Sequence, residues 1–84
     1  MSDLADLKYV VVLSHGLEIP ILFPQLLEHC TIVNAMTTVV SAGFCRIINS
    51  GGQLTVMTFG DSHTLGRRSR LEDNEIIRRH LLSQ

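Results

Sequence analysis

Residues 37–59, "TTVVSAGFCRIINSGGQLTVMTF", decide the fold. Val, Ile and Thr crowd both halves of this stretch, and these residue types suit the pleated, half-buried surface of a sheet. Between the halves, "NSGG" supplies Asn and Gly, which tolerate left-handed backbone, so the stretch reads as a hairpin with arms Val39 to Asn49 and Gln53 to Phe59. Gly43 interrupts the first arm and marks either a bulge or the close approach of another backbone segment. In the second arm, Leu54, Val56 and Thr58 alternate with Gln53, Thr55, Met57 and Phe59. Neither set is cleanly polar, so one face is expected to carry a helix and the other a partner or a second layer.

Working outward, "KYVVVLSHGLEIPILF" (residues 8–23) reads as two more strands, Lys8 to Ser14 and Ile19 to Phe23, about a His15-Gly16 turn. Pro20 has no N–H for a ladder, which places the second strand at a sheet edge or on a bulge. Pro24 suits the first turn of a short helix that ends near His29 or Cys30. Towards the C-terminus, Ser69 followed by Glu72 is a capping-box spacing, with acidic Glu72, Asp73 and Glu75 at one end and Arg78, Arg79 and His80 at the other. A helix starting near Arg70 is the expectation. It places Leu71, Ile77, Leu81 and Leu82 on one side, pairs Glu75 with Arg79, and leaves Ile76 in want of a second contact.

Four strands and two helices in the order ββαββα describe an α+β domain: an antiparallel sheet with a short helix and a C-terminal helix. Residues 1–84 form one domain in this reading, with 1–6 flexible. A chain of 84 residues leaves much of its surface exposed after folding, and open strand edges add to the case for self-association. Pro20 and Ile76 are the candidate contact residues of a homo-oligomer or of a docked protein.

Composition narrows the function classes. Hydrophobic residues make up 45% and charged residues 18%, which excludes an intrinsically disordered chain. The longest apolar runs are too short to cross a bilayer, and "MSDLADLK" lacks the basic start of a secretory signal, so no membrane association and a cytoplasmic location are expected. Cys30 and Cys45 lack metal or redox spacing and read as reduced, buried thiols. The net charge of −1 argues against general nucleic-acid binding, as does the want of helix-turn-helix or zinc-finger spacing.

Charge is nonetheless uneven, because five of the seven Lys and Arg residues fall within residues 58–80. In "DSHTLGRRSRLEDNE", Gly66 permits a sharp turn before the expected helix, and Arg67, Arg68 and Arg70 together with free helix N–H groups suit a phosphate or carboxylate. Ser62, Thr64 and Ser69 offer hydroxyls, and His63 is the histidine placed for ligand contact or proton transfer. The competing reading is a solvated helix cap. No Walker run or strand-linked GxGxxG is present, no histidine has a metal-site spacing, and no thiol–imidazole pair is specified, so neither cofactor nor metal nor enzymatic activity is expected.

Ser41, Ala42, Gly43 and Phe44, followed by Gly60, Ser62, Leu65, Gly66, Ser69, Arg70 and Asp73 and an aliphatic helix, resemble a pattern in small proteins of unknown function from tailed bacteriophages and prophages. Leu71 stands where that pattern has proline. What the resemblance implies is an accessory protein that neutralises a host or defence component, including sequestration of a nucleotide signal. The expectation is therefore a non-enzymatic, oligomeric accessory protein binding an anionic ligand through Ser62, His63, Thr64, Arg67, Arg68, Ser69 and Arg70. The alternatives are a protein-interaction module inhibiting a host or defence protein and a nucleic-acid-binding accessory protein.

Overall fold

The structure, a computed structural model, describes residues 2–33 and 37–83. The decisive hairpin forms as β3 (Thr38–Ser50) and β4 (Gln53–Phe59), turning through Gly51 and Gly52, both at positive φ. Two successive left-handed residues match the twist of the flanking strands, which is why a Gly-Gly pair sits there. The first hairpin is β1 (Ser2–Ser14) and β2 (Leu17–Phe23), with His15 at φ 53° and Gly16 at φ 78° in the turn. β1 starts at Ser2, ahead of the expected Lys8, and pairs with β3 from Ser2 opposite Ser50.

The two hairpins join through their long strands into one antiparallel sheet of order β2-β1-β3-β4. β2 is thus an edge strand, as Pro20 requires. The bulge in the β1–β3 ladder lies at Val40, the residue skipped between Val39 opposite Val12 and Ser41 opposite Val11. Gly43 instead serves a close approach. A Cβ there would stand 2.7 Å from the Phe59 carbonyl oxygen and 3.2 Å from Ser69 Cβ, so the chain leaving β4 crosses directly over Gly43.

Two elements depart from the ββαββα expectation. Pro24 does not open a helix: residues 24–28 form turns, and a single helical turn, α1 (His29–Ile32), begins where the expected helix was to end. Leu26 is 96% exposed and has nothing to pack against, so residues 24–28 lack the apolar stripe that stabilises a short helix. His29 is held in place by its Nε2–H donating to the Gly43 carbonyl at 2.8 Å, with Phe23 and Phe44 edge-on to its ring. Between β4 and the last helix, the chain makes a small ribbon of β5 (Asp61–Ser62) and β6 (Arg67–Arg68), so Arg67 and Arg68 are strand residues rather than the lead into a helix.

The C-terminal helix, α2 (Asp73–Leu82), starts later than the expected Arg70. Ser69 does not cap it. The Ser69 hydroxyl donates to the Gly60 carbonyl at 2.9 Å, because the crossing over Gly43 holds that residue against the sheet. Leu71 consequently lies outside the helix, 85% exposed, and Leu82 is exposed as well, while Ile77 is fully buried and Leu81 packs against the core. Glu75 and Arg79 do pair, at 3.5 Å.

Tyr9, Val11, Cys45, Val56 and Ile77 form the core beneath α2, and Val10, Val12, Phe23 and Ala42 form a second cluster on the opposite face of β1 and β3. Burying Ile77 alone is worth roughly 1.5–3 kcal/mol. The sheet curls so that both outer strands flank α2. On one flank, Asn74 and Arg78, one helical turn apart, bond the outer backbone of β4. The Thr58 N–H donates to Asn74 Oδ1 at 2.8 Å, and Arg78 Nε donates to the Leu54 carbonyl at 3.1 Å. These bonds cover part of an edge that otherwise invites another strand. On the other flank a groove of about 400 Å³ remains between β2 and α2, bringing Pro20 and Ile76 together with the exposed Leu17 and Ile19.

Candidate functional site

Gly60, at φ 75°, turns the chain out of β4, and Ser69, bonded to Gly60 through both its N–H and its hydroxyl, brings it back. Between these points the ribbon packs against β3. Its tip is closed by Ser62, whose hydroxyl accepts the Leu65 N–H at 3.3 Å and lies 3.2 Å from the Thr64 hydroxyl. Leu65 packs on the Val10 and Phe23 cluster, anchoring the tip, and Gly66 at φ 63° reverses the chain into β6.

Beside the ribbon lies an open cleft of about 400 Å³. Ser62, His63, Arg67, Arg68 and Arg70 line it with Asp61, so five of the seven residues expected at an anion site come together there. Thr64 lies instead in a smaller neighbouring hollow, and Ser69 borders neither, being committed to Gly60. The cluster differs in origin from the sequence expectation. Arg67 and Arg68 are presented by a strand pair, Arg68 opposite Asp61 and Arg67 opposite Ser62, and no helix N-terminus takes part.

The three arginines are not equivalent. Arg70 bonds Asp73 Oδ1 through Nε at 3.0 Å and through a terminal nitrogen at 2.8 Å, and that same nitrogen bonds Glu18 at 2.8 Å. The Glu18 hydrogen bond, followed by that of Asp73, raises the Arg70 pKa further above its ordinary value against the cost of burial. Its charge is therefore already answered by two carboxylates. Arg67 donates through Nε to the Val39 carbonyl at 3.0 Å, which fixes the stem of the side chain. The Arg68 side chain is exposed and makes no hydrogen bond or ion pair to the described residues. His63 is 96% exposed, 3.8 Å from Asp61. The cationic character of the cleft rests on Arg67 and Arg68, moderated by Asp61.

The residue that sequence reasoning misplaced is Asp73. Taken there as a helix-dipole acid, it is fully buried. Its Oδ2 accepts the Tyr9 hydroxyl at 2.6 Å and the Arg70 backbone N–H at 3.0 Å, while Oδ1 takes the Arg70 guanidinium. Burial first, then the Asp73 carboxylate, push the Tyr9 phenol far above its usual range. This network ties β1, the start of α2 and, through Glu18, the first hairpin to one wall of the cleft. The available signal was the Arg70-x-x-Asp73 spacing, but its partner Tyr9 lies 64 residues away in the chain.

Gly43, Gly60, Ser62, Leu65, Gly66, Ser69, Arg70 and Asp73 thus build and anchor the ribbon. His63, Arg67 and Arg68 are what the ribbon presents to the cleft. Cys45 is a free, buried thiol whose pKa burial pushes up to about 11, so it is poorly suited to act as a nucleophile. The side chain of Cys30 lies outside the described residues. Among the described residues, no group of three or more His, Cys, Asp or Glu side chains is arranged to hold a metal ion, and no helix is long and apolar enough to cross a membrane. No protein-family model, curated protein or solved structure matches this chain.

Proposed function

We propose that the chain is a non-enzymatic accessory protein that binds an anionic ligand in the ribbon cleft. The observation that carries this reading is the pairing of Arg67, pre-oriented by Val39, with the unengaged Arg68 along an open cleft of about 400 Å³. A guanidinium whose stem is already fixed loses less freedom when it closes on a phosphate or carboxylate. His63 would orient the ligand, Ser62 would hold the ribbon tip that presents it, and Arg70 would shape the wall without supplying net charge. The phage resemblance adds a counter-defence role, sequestration of a nucleotide signal, to this reading.

The groove between β2 and α2 favours one addition, self-association. Leu17, Ile19 and Ile76 are apolar there and Pro20 gives β2 no donor at its position, so two copies would meet by packing side chains rather than by extending the sheet. The same groove is the surface on which the protein-interaction alternative would dock a host or defence protein.

The test is thermal denaturation of wild type, Arg67→Ala, Arg68→Ala, Arg79→Ala and Ile76→Ser against inorganic phosphate and a panel of linear and cyclic nucleotides. A ligand at a hundred times its Kd stabilises by about 2.7 kcal/mol, which for a domain of this size raises Tm by roughly 10 °C or more. The shift should be lost in Arg67→Ala and Arg68→Ala and kept in Arg79→Ala, whose charge lies on α2 facing the other groove. Equal loss in Arg79→Ala would reduce the effect to bulk charge, and no shift across the panel would sink the anion reading. In the same samples, Ile76→Ser should keep the ligand shift while reducing the mass seen by light scattering; an unchanged mass refutes the groove as the self-association surface.

A further inference from the structure

The cleft has a neighbour that deepens the anion reading. Asp61, Ser62 and His63 form a shared wall, with the cleft on one side and a hollow of about 130 Å³ on the other. The two depressions differ in chemistry. The cleft holds Arg67 and Arg68. The hollow is lined further by Glu28, Thr64, Phe44 and Lys8. Lys8 keeps its charge but its ammonium is held in place, donating to the Leu27 carbonyl at 2.8 Å and lying 6.0 Å from the centre of the Phe44 ring. One face of that ring is stacked on Phe59, with centroids 5.7 Å apart.

Glu28 and Asp61 both line the hollow, so its rim carries two carboxylate residues against the single ammonium of Lys8. Carboxylates repel an anion and accept from hydroxyl and amino groups. Phosphate is therefore directed to the arginines, and the hollow rewards a small, uncharged, donor-rich group. Its volume is on the scale of a pentose ring.

Resting on the anion reading above, we infer that the ligand is a phosphate ester of ribose, with its phosphate between Arg67 and Arg68 and its vicinal hydroxyls donating to Glu28 and Asp61 across the shared wall. A free sugar phosphate and a nucleotide both present this chemistry. Thr64, which the cleft alone does not account for, acquires a place as a further hydroxyl beside the sugar.

Isothermal titration calorimetry with inorganic phosphate, ribose 5-phosphate, AMP and 2′-deoxy-AMP tests the inference on wild type, Glu28→Gln and Arg68→Ala. Glu28 is exposed, so the amide leaves the fold intact. Ribose 5-phosphate should bind at least tenfold tighter than inorganic phosphate, and Glu28→Gln should remove most of that gain while leaving phosphate binding unchanged. Removal of the 2′-hydroxyl should weaken AMP several-fold in wild type and have little effect in Glu28→Gln. Arg68→Ala should weaken every phosphate compound. Tighter binding of AMP than of ribose 5-phosphate would identify a nucleotide as the source, and equal binding a sugar phosphate. If ribose 5-phosphate binds no tighter than inorganic phosphate, or Glu28→Gln weakens both alike, the two-part site is refuted and the anion cleft stands. If inorganic phosphate and its esters all fail to bind, both readings fall.

Discussion

Replacing Asp73 by alanine removes the one group on which Tyr9, Arg70 and the first turn of α2 converge. In the wild type the carboxylate accepts four bonds: the Tyr9 hydroxyl at 2.6 Å, the Arg70 N–H at 3.0 Å, and two from the Arg70 guanidinium at 3.0 and 2.8 Å. Asp73→Ala leaves the Tyr9 hydroxyl without this acceptor in the core and leaves Arg70 paired only with Glu18. Breaking a buried ion pair by removing one partner costs about 3–5 kcal/mol. For 84 residues the whole stability is of the order of 4–13 kcal/mol, so this single change takes a large share of it. At roughly 4–8 °C per kcal/mol, Tm should fall by about 12–40 °C. Tyr9→Phe removes one bond to a charged acceptor while Arg70 still compensates the carboxylate, and should cost about 1.5–3 kcal/mol. Urea unfolding of both variants and of the double variant reads these values, and the double variant should lose less than the sum because the two groups touch. Asp73→Ala within 1 kcal/mol of wild type, or strict additivity, would refute the claim that this network holds α2 to the sheet.

Stability should also fall at alkaline pH. Cys45 titrates near 9.0 when unfolded and, fully buried, at about 11 when folded, so the contribution is fully present below pH 9 and is lost as pH rises through 11. Two units correspond to about 3 kcal/mol, and Tyr9 acts in the same direction at higher pH. Cys45→Ala should flatten the fall of Tm between pH 8 and 11; an identical slope in both proteins would refute the assignment. Gly43→Ala should destabilise by roughly 1–3 kcal/mol, because its Cβ meets the Phe59 carbonyl oxygen at 2.7 Å and forces the crossing segment away. Chemical denaturation checks this, and a neutral result would mean that the crossing yields freely.

Both hairpins were legible because their signals are local. β-Branched runs on either side of Gly-Gly or His-Gly specify strands and turn together, and the missing N–H of Pro20 restricted β2 to a sheet edge or a bulge, of which the edge is found. The Glu75–Arg79 pair was legible for the same reason, being set by helical spacing. Residues 24–28 were misread since Pro24 and two leucines satisfy a helix rule locally, yet nothing in the fold covers Leu26. Ser69 was misread because the capping-box spacing has a competing use for its hydroxyl, the Gly60 carbonyl, which only the crossing over Gly43 brings near.

The same division runs through the candidate site. From the chain itself come the concentration of arginines, the turning capacity of Gly66, the grouping of Ser62, His63, Arg67 and Arg68 within one short segment, and the α+β class. Side-chain type and sequence spacing are sufficient for these. The tertiary structure alone decided that Arg70 is spent on Asp73 and Glu18, that Arg67 is braced by Val39 and that Glu28 shares a hollow with Thr64. Those outcomes depend on groups distant in sequence competing for the same hydrogen bonds, and the competition is settled only when the sheet curls and brings them together.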